Sequence, residues 1–169
     1  MTHSTSSTSK IETTLLVRLA TDADRSRLIP LINSAFSIET FLEGNRTDDE
    51  DLAAMMRKGE LLVAEDGEGQ LIGCVYTEVC GERGYMGMLT VDPARQRGGL
   101  GGSIMEAAEE HLRSHGCVAV DILVLNLRTE LPPIYRRHGY VETGTQQNGL
   151  HRTLKPGVKC HFIRMSKDL

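Results

Sequence analysis

No two cysteines in this 169-residue chain stand in a C-x-x-C pair; the four present, Cys74, Cys80, Cys117 and Cys160, are scattered. That spacing offers no redox or zinc pair. Three of the four lie in or beside apolar runs, so buried, reduced thiols and a cytoplasmic setting are expected. No apolar run approaches the roughly 20 residues that would span a bilayer. The Ser/Thr-rich opening, Met1 to Lys10, lacks the apolar stretch of a signal peptide. A disordered tail is expected over residues 1–11, with one domain over 12–169. There is no internal repeat, and no excess of positive charge. With 19 Lys and Arg against 23 Asp and Glu, the net charge of -4 leaves no basic footprint for nucleic acid. Nothing points to a membrane partner, and no Ser-His-Asp or Cys-His arrangement stands out. What remains, 40% hydrophobic and 25% charged residues, is ordinary for a soluble chain that builds its own core.

Periodicity orders the elements. Leu15 to Leu19 reads as a strand, and Thr21 with Asp24 as a capping pair opening a helix whose apolar face is Leu28, Leu31, Ile32 and Phe36. Pro30 interrupts it and predicts a kink or restart. Ser37 to Arg46 is irregular. Thr47 to Glu50 reads as a second capping box for a helix ending near Lys58. Glu60 to Glu65 and Leu71 to Cys80 flank a glycine-bearing turn, and Tyr85 to Val91 follows Gly81 to Gly84, which predicts an antiparallel meander. Ile104, Met105, Ala108 and Leu112 mark a helix stopped near Gly116. Val118 to Val124 lies between helices and is expected to run parallel to its neighbour. Pro132-Pro133 opens a short helix closed by Gly139, and Tyr140 to Thr145 and His161 to Met165 are the last strands, joined by a long hairpin or loop. The fold class is therefore a mixed α/β single domain: a twisted, mostly antiparallel sheet with helices on both faces.

The segment Gln96-Arg97-Gly98-Gly99-Leu100-Gly101-Gly102, between a strand and a helix, carries the most chemistry. A turn crowded with glycines at a helix N-terminus gathers unpaired N–H groups around one concavity and favours an anion, a phosphate above all. The dinucleotide pattern G-x-G-x-x-G fails here because Ile104 stands where a glycine is needed, and Asp121, 20 residues after Gly101, lies inside a strand. A P-loop fails because Ser103 follows Gly102 with no lysine between. A ligand-free turn is the alternative, but such a turn rarely needs four glycines in five positions.

The strand, Val91-Asp92-Pro93, then Gln96, Gly99 and Gly101, resembles the acyl-coenzyme A signature of the GCN5-related N-acetyltransferases (GNAT family). Ile134-Tyr135-Arg136-Arg137-His138-Gly139-Tyr140 resembles that family's second signature. The resemblance spans roughly Tyr85 to Gly144. It implies an acyltransferase that moves the acetyl group of acetyl-CoA to a primary amine, a small molecule ahead of a protein, by direct attack in a ternary complex without a metal. It also implies that the main chain of Leu89 and Val91 pairs with the pantetheine amides, that the amides of Arg97, Gly98, Gly99, Leu100, Gly101 and Gly102 hold the pyrophosphate, and that Thr90, Gln96, Ser103 and Tyr135 also belong to the cofactor site. Arg136 and Arg137 stand either near the nucleotide or on a solvated helix face. Tyr135, a phenol of ordinary pKa ~10, can donate its proton to the departing thiolate; a core anchor with a satisfied hydroxyl is its other reading.

Two departures mark the chain. An alkyl ammonium of pKa ~10.4 is neutral at pH 7 to only about one part in 2,500, so a base is needed. Some relatives place a glutamate on the strand before the glycine loop, and Tyr85 stands there in this chain. Glu78, or a water chain using main-chain carbonyls, is the candidate base, with an exposed structural carboxylate as the other reading of Glu78. Arg128 stands where many relatives carry the asparagine seven residues before the tyrosine, and Asn126 is out of register. His111 and His115 have the i, i+4 spacing that can chelate zinc, but Leu112 takes the glutamate position of the metalloprotease pattern, and a surface histidine complementing the helix C-terminus accounts for His115. The acceptor is expected near Ser37 to Arg46 and the loop before Cys160. The resemblance leaves room for a homodimer. A non-catalytic coenzyme A sensing module and a peptide-binding domain are the rival readings.

Overall fold

Apolar residues on both faces of a strand demand cover on both sides, and β2 (Glu60–Glu65) shows it: Leu61 and Val63 enter one core, Leu62 and Ala64 the other. The computed structural model describes residues 15–147 and 149–169, so the expected tail over 1–11 lies outside the described residues. β2, β3 (Leu71–Cys80) and β4 (Arg83–Val91) form the expected antiparallel meander, with β1 (Leu16–Leu19) pairing β2 at the edge. β5 (Ala119–Leu125) runs parallel to β4, as its position between helices predicts. The chain then crosses to β6 (Val141–Gln146) and returns through β7 (Phe162–Asp168), which inserts between β5 and β6. The seven-stranded order is β1-β2-β3-β4-β5-β7-β6, antiparallel everywhere except β4 with β5.

α1 (Arg25–Ala35) and α2 (Asp49–Lys58) cover one face, where Leu28, Ile32 and Leu52 meet Leu61, Val63, Cys74 and Tyr76. α3 (Leu100–Ser114) covers the other through Ile104, Met105, Ala108 and Leu112, all buried against Leu62, Ile72, Val75 and Val120. Each fully buried side chain of this kind contributes about 1.5–3 kcal/mol. α4 (Leu131–Arg137) follows β5, with Pro132 and Pro133 in its first turn.

Four local expectations are corrected. The N-cap of α2 is Asp48, whose Oδ1 accepts from the Asp51 amide at 2.9 Å, and not Thr47; Thr47 instead donates its own amide to Asn33 Oδ1. A single 3₁₀ turn, Asp22–Asp24, precedes α1, which runs on through Pro30. β4 begins at Arg83 because Gly84 belongs to the strand: a Cβ there would sit 2.7 Å from Leu112 Cδ1, so that glycine admits α3 instead of making a turn. Finally, only Cys74 and Cys117 are buried. Cys80 is exposed where β3 outruns its helical cover, Cys160 is half-buried, and all four thiols are free.

Asp24 anchors the start of α1. It accepts both Arg18 Nη atoms at 2.8 and 2.9 Å, the Thr21 amide at 2.8 Å and Arg27 at 3.0 Å, while Arg18 also reaches Glu65. The Arg18 guanidinium holds this carboxyl well below the usual carboxylate range despite burial. Because the folded value is depressed, its contribution to stability is complete above the ordinary carboxylate pKa and is lost as pH falls below it. Asp24→Ala is expected to cost about 3 kcal/mol, at the lower end for a broken buried pair because Arg18 and Glu65 keep each other. Urea melts at pH 7 and pH 3 check this: the difference between variant and wild type shrinks at the lower pH.

Candidate active site

The sheet opens where β4 and β5 part. Their parallel pairing holds for three residue pairs, Arg83 with Ala119, Gly84 with Val120 and Tyr85 with Asp121, and then ends. Just beyond, Met88 and Leu89 together face the single β3 residue Val75, a bulge in which Met88 takes φ +49°. Thr90 secures it by donating its buried hydroxyl to the Met88 carbonyl at 3.0 Å. The Asp92 amide bonds back to Ile72. By the alternation of a strand, the main chain of Val91 points the other way, into the opening. Gln96 Nε2 reaches the Val91 carbonyl there at 3.3 Å.

The glycine loop closes one end of this opening. Arg97 at φ +77° and Gly99 at +79° turn the chain from β4 into α3. The first helical bond is Ser103 N–H to Gly99 O, and the Ser103 hydroxyl also reaches that carbonyl. Among the described residues, no protein acceptor takes an amide from Arg97 to Gly102. Those donors, with the positive end of a 15-residue helix behind them, form an anion cradle. The loop is held from outside: Asp92 caps the preceding 3₁₀ turn, Pro93–Arg95, through the Ala94 amide, and Arg95 pairs with Asp66 at 2.8 Å. At Gly102 a Cβ would lie 2.9 Å from His138 Cε1, so α3 and α4 meet closely beside the cradle.

A cleft of about 980 Å³ runs from this cradle past the bulge to the α1–α2 connection. Leu89, Val91, Gln96, Arg97, Gly99, Leu100, Gly101, Gly102 and Tyr135 line it, whereas Thr90, Gly98 and Ser103 do not. Thr90 faces the core, and Ser103 is spent on the helix end. Arg136 pairs with Glu142 on an exposed surface, and neither it nor Arg137 lines the cleft. Asn126 clips β5 to β7, exchanging hydrogen bonds with the main chain of His161.

Tyr135 stands in the middle of the cleft wall, its ring edge-on to Tyr140 with centroids 5.7 Å apart. Its hydroxyl has no hydrogen-bond partner among the described residues. Burial pushes it up to about 12, so it holds its proton near neutral pH. Opposite, Tyr85 is the register partner of Glu78 across β4 and β3, which puts both on one face. Glu78 accepts from Tyr76 Oη at 2.9 Å and forms an ion pair with Lys58 at 3.4 Å, and the Cys80 thiol points at it from 3.7 Å. Burial and that same carboxylate push the Cys80 thiol up, which disfavours a nucleophilic thiolate.

The two irregular segments meet. Leu42 bridges Leu154, Glu43 donates to the Thr153 carbonyl, and Lys155 donates to that of Phe41. Arg152 adds bonds to Asp51 and the Arg46 carbonyl. Phe36, Ile38, Glu39 and Arg46 from one segment and Leu150 and His151 from the other line the far end of the cleft. Arg128 holds this end to the rest, pairing with buried Glu39 at 2.8 Å and with Glu130 at 2.6 Å. Pairing over 89 positions leaves no trace in local sequence, so Arg128 was legible only as a departure. Arg46 is different: its guanidinium lies over Phe36 at 5.2 Å and has no carboxylate partner among the described residues.

An acetyltransferase (GNAT) domain model matches residues 29–156. Glucosamine 6-phosphate N-acetyltransferase 1 of Oryza sativa subsp. japonica is 34% identical over 112 residues, 62% of this chain and 66% of that enzyme. A mycothiol acetyltransferase of Propionibacterium freudenreichii subsp. shermanii is 34% identical over half of this chain (50%) but only 28% of its own length. The chain thus spans less than two thirds of the curated relatives it matches. A GNAT family acetyltransferase of Elizabethkingia anophelis with acetyl-CoA bound superposes with a TM-score of 0.70, covering 92% of this chain and 98% of that one at 17% identity, which speaks to the fold. With the domain model matching most of its length and the parted strands, bulge and glycine turn in place, this chain belongs to the GNAT acetyltransferase family.

Proposed function

We propose that this chain transfers the acetyl group of acetyl-CoA directly to the primary amine of a small acceptor that also carries an anionic group. The observation that carries the reading is the conjunction of free amides from Arg97 to Gly102, an unpaired strand edge at Leu89 to Val91 and an unbonded Tyr135 hydroxyl around one cleft. The cradle suits a diphosphate, and the strand edge suits the amides of a pantetheine arm entering as an added strand. Tyr135 supplies the proton that the leaving thiolate needs. Glu78, facing the same side as Tyr85, draws the proton from the ammonium of the acceptor, directly or through water. The raised Cys80 thiol favours direct attack over an acetylated cysteine.

Arg46 sets the acceptor class. A half-buried guanidinium without a carboxylate, at the end of the cleft opposite the phosphate cradle, is suited to a carboxylate or phosphate on the substrate. A thiol-release assay on paired amines, with and without an anionic group, tests this. Anionic amines are expected to be favoured, and Arg46→Ala to raise their KM by roughly 10-fold or more with little change in kcat, while leaving neutral amines unaffected. Tight coenzyme A binding with no turnover on any amine would favour a sensing module. No affinity for coenzyme A would end both readings.

A further inference from the structure

We infer that Glu60, His111 and His115 form a binding site for a divalent transition-metal ion of the zinc class, joining the start of β2 to the last turn of α3. The site is separate from the cleft, which none of the three residues lines. Its ligand atoms, one from each side chain, lie within 4.8 Å of one another. The i, i+4 spacing brings the two imidazoles together with centroids 4.4 Å apart and planes tilted by 49°, and β2, folded from 51 positions upstream, brings Glu60 Oε2 to 2.5 Å from His111 Nε2.

The hydrogen bonding suits a metal ligand. His115 Nδ1 lies 2.8 Å from the His111 carbonyl, an acceptor only, so in the neutral ring that nitrogen carries the proton and Nε2 the lone pair. A backbone carbonyl fixing the tautomer of an imidazole is what orients histidine ligands in metal sites. The Ser114 hydroxyl donates to the same carbonyl at 2.7 Å and sits 3.3 Å from His115 Nδ1, leaving Nε2 unobstructed by it. His111, its side chain 16% exposed, turns Nε2 to the Glu60 carboxylate, an acceptor only, so an ion would replace the proton held between them while the half-exposed Glu60 shifts to admit it. Two nitrogens and one carboxylate select zinc, nickel, cobalt or copper over magnesium or calcium, and three protein ligands leave room for water. The ion would clamp a helix end to a strand; the acetyl-transfer chemistry does not require it.

Calorimetric titration of the tag-free, metal-stripped full chain with Zn²⁺, with Co²⁺ absorption as a second readout, tests the inference. One saturable equivalent is expected, weakening as pH falls because protons compete for the imidazoles. A hundredfold excess over Kd should raise the melting temperature by roughly 5–10 °C. Glu60→Ala, His111→Ala and His115→Ala should each weaken binding by about 10-fold or more, and the double histidine variant should lose both the Co²⁺ bands and the melting shift. Absence of saturable binding, or binding undiminished in the folded double variant, would overturn the site.

Discussion

Phenylalanine in place of Tyr135 is expected to lower acetyl-CoA-dependent thiol release by about 10²-fold or more without unfolding the protein or weakening its hold on coenzyme A. The separation of effects follows from how the residue is held. Its ring packs edge-on against Tyr140, a contact that phenylalanine preserves, and its hydroxyl bonds to nothing among the described residues, so removing it strands no partner. Only the donor hydroxyl is lost. With the phenol pushed up to about 12, wild-type kcat/KM should climb with pH as the acceptor ammonium loses its proton, and should show no falling limb from Tyr135 below that value. Rates measured from pH 6 to 10, beside calorimetry of coenzyme A binding, check both parts. A variant that melts early at an unchanged rate would mark Tyr135 as a packing residue.

Gly101→Asp is expected to weaken coenzyme A binding by roughly 10²-fold or more while the free protein keeps or slightly gains stability, since like charges brought together cost several kcal/mol. The two signs differ for a geometric reason. A Cβ at this position meets only Val91 Cγ2, at an ordinary 3.6 Å, so the protein itself has room. An acidic side chain in the first turn of α3 also complements the helix dipole, worth about 0.3–1 kcal/mol. The same carboxylate would sit among the amides meant for a diphosphate. Isothermal titration and a thermal melt of the free variant measure the two effects independently. Unaltered affinity would place the nucleotide elsewhere.

The elements legible in the sequence were those with local causes. The meander followed from alternating strand formers and glycine turns, α3 from Ile104, Met105, Ala108 and Leu112, and the anion cradle from its glycines. What local pattern could not convey was contact across the fold. Gly84 read as a turn residue because Leu112, which needs its missing side chain, is 28 positions away. Thr90 sits inside a motif whose neighbours line the cleft, yet beyond the bulge at Met88 it faces the core. Glu78 stood on the wrong strand until register made it the neighbour of Tyr85. Arg46 lay within a segment expected near the acceptor, but its lack of a carboxylate partner is a property of three-dimensional surroundings alone.

The short parallel pairing of β4 with β5 reaches beyond catalysis. A ladder of three rungs divides the molecule into a four-stranded wing and a three-stranded wing, with α3 packed against both. A guest lying in the gap would serve as the missing rungs and weld the wings, so occupancy and rigidity rise together. Under the proposed function, the cosubstrate would complete that sheet as a borrowed strand, arriving with each turnover and departing with it.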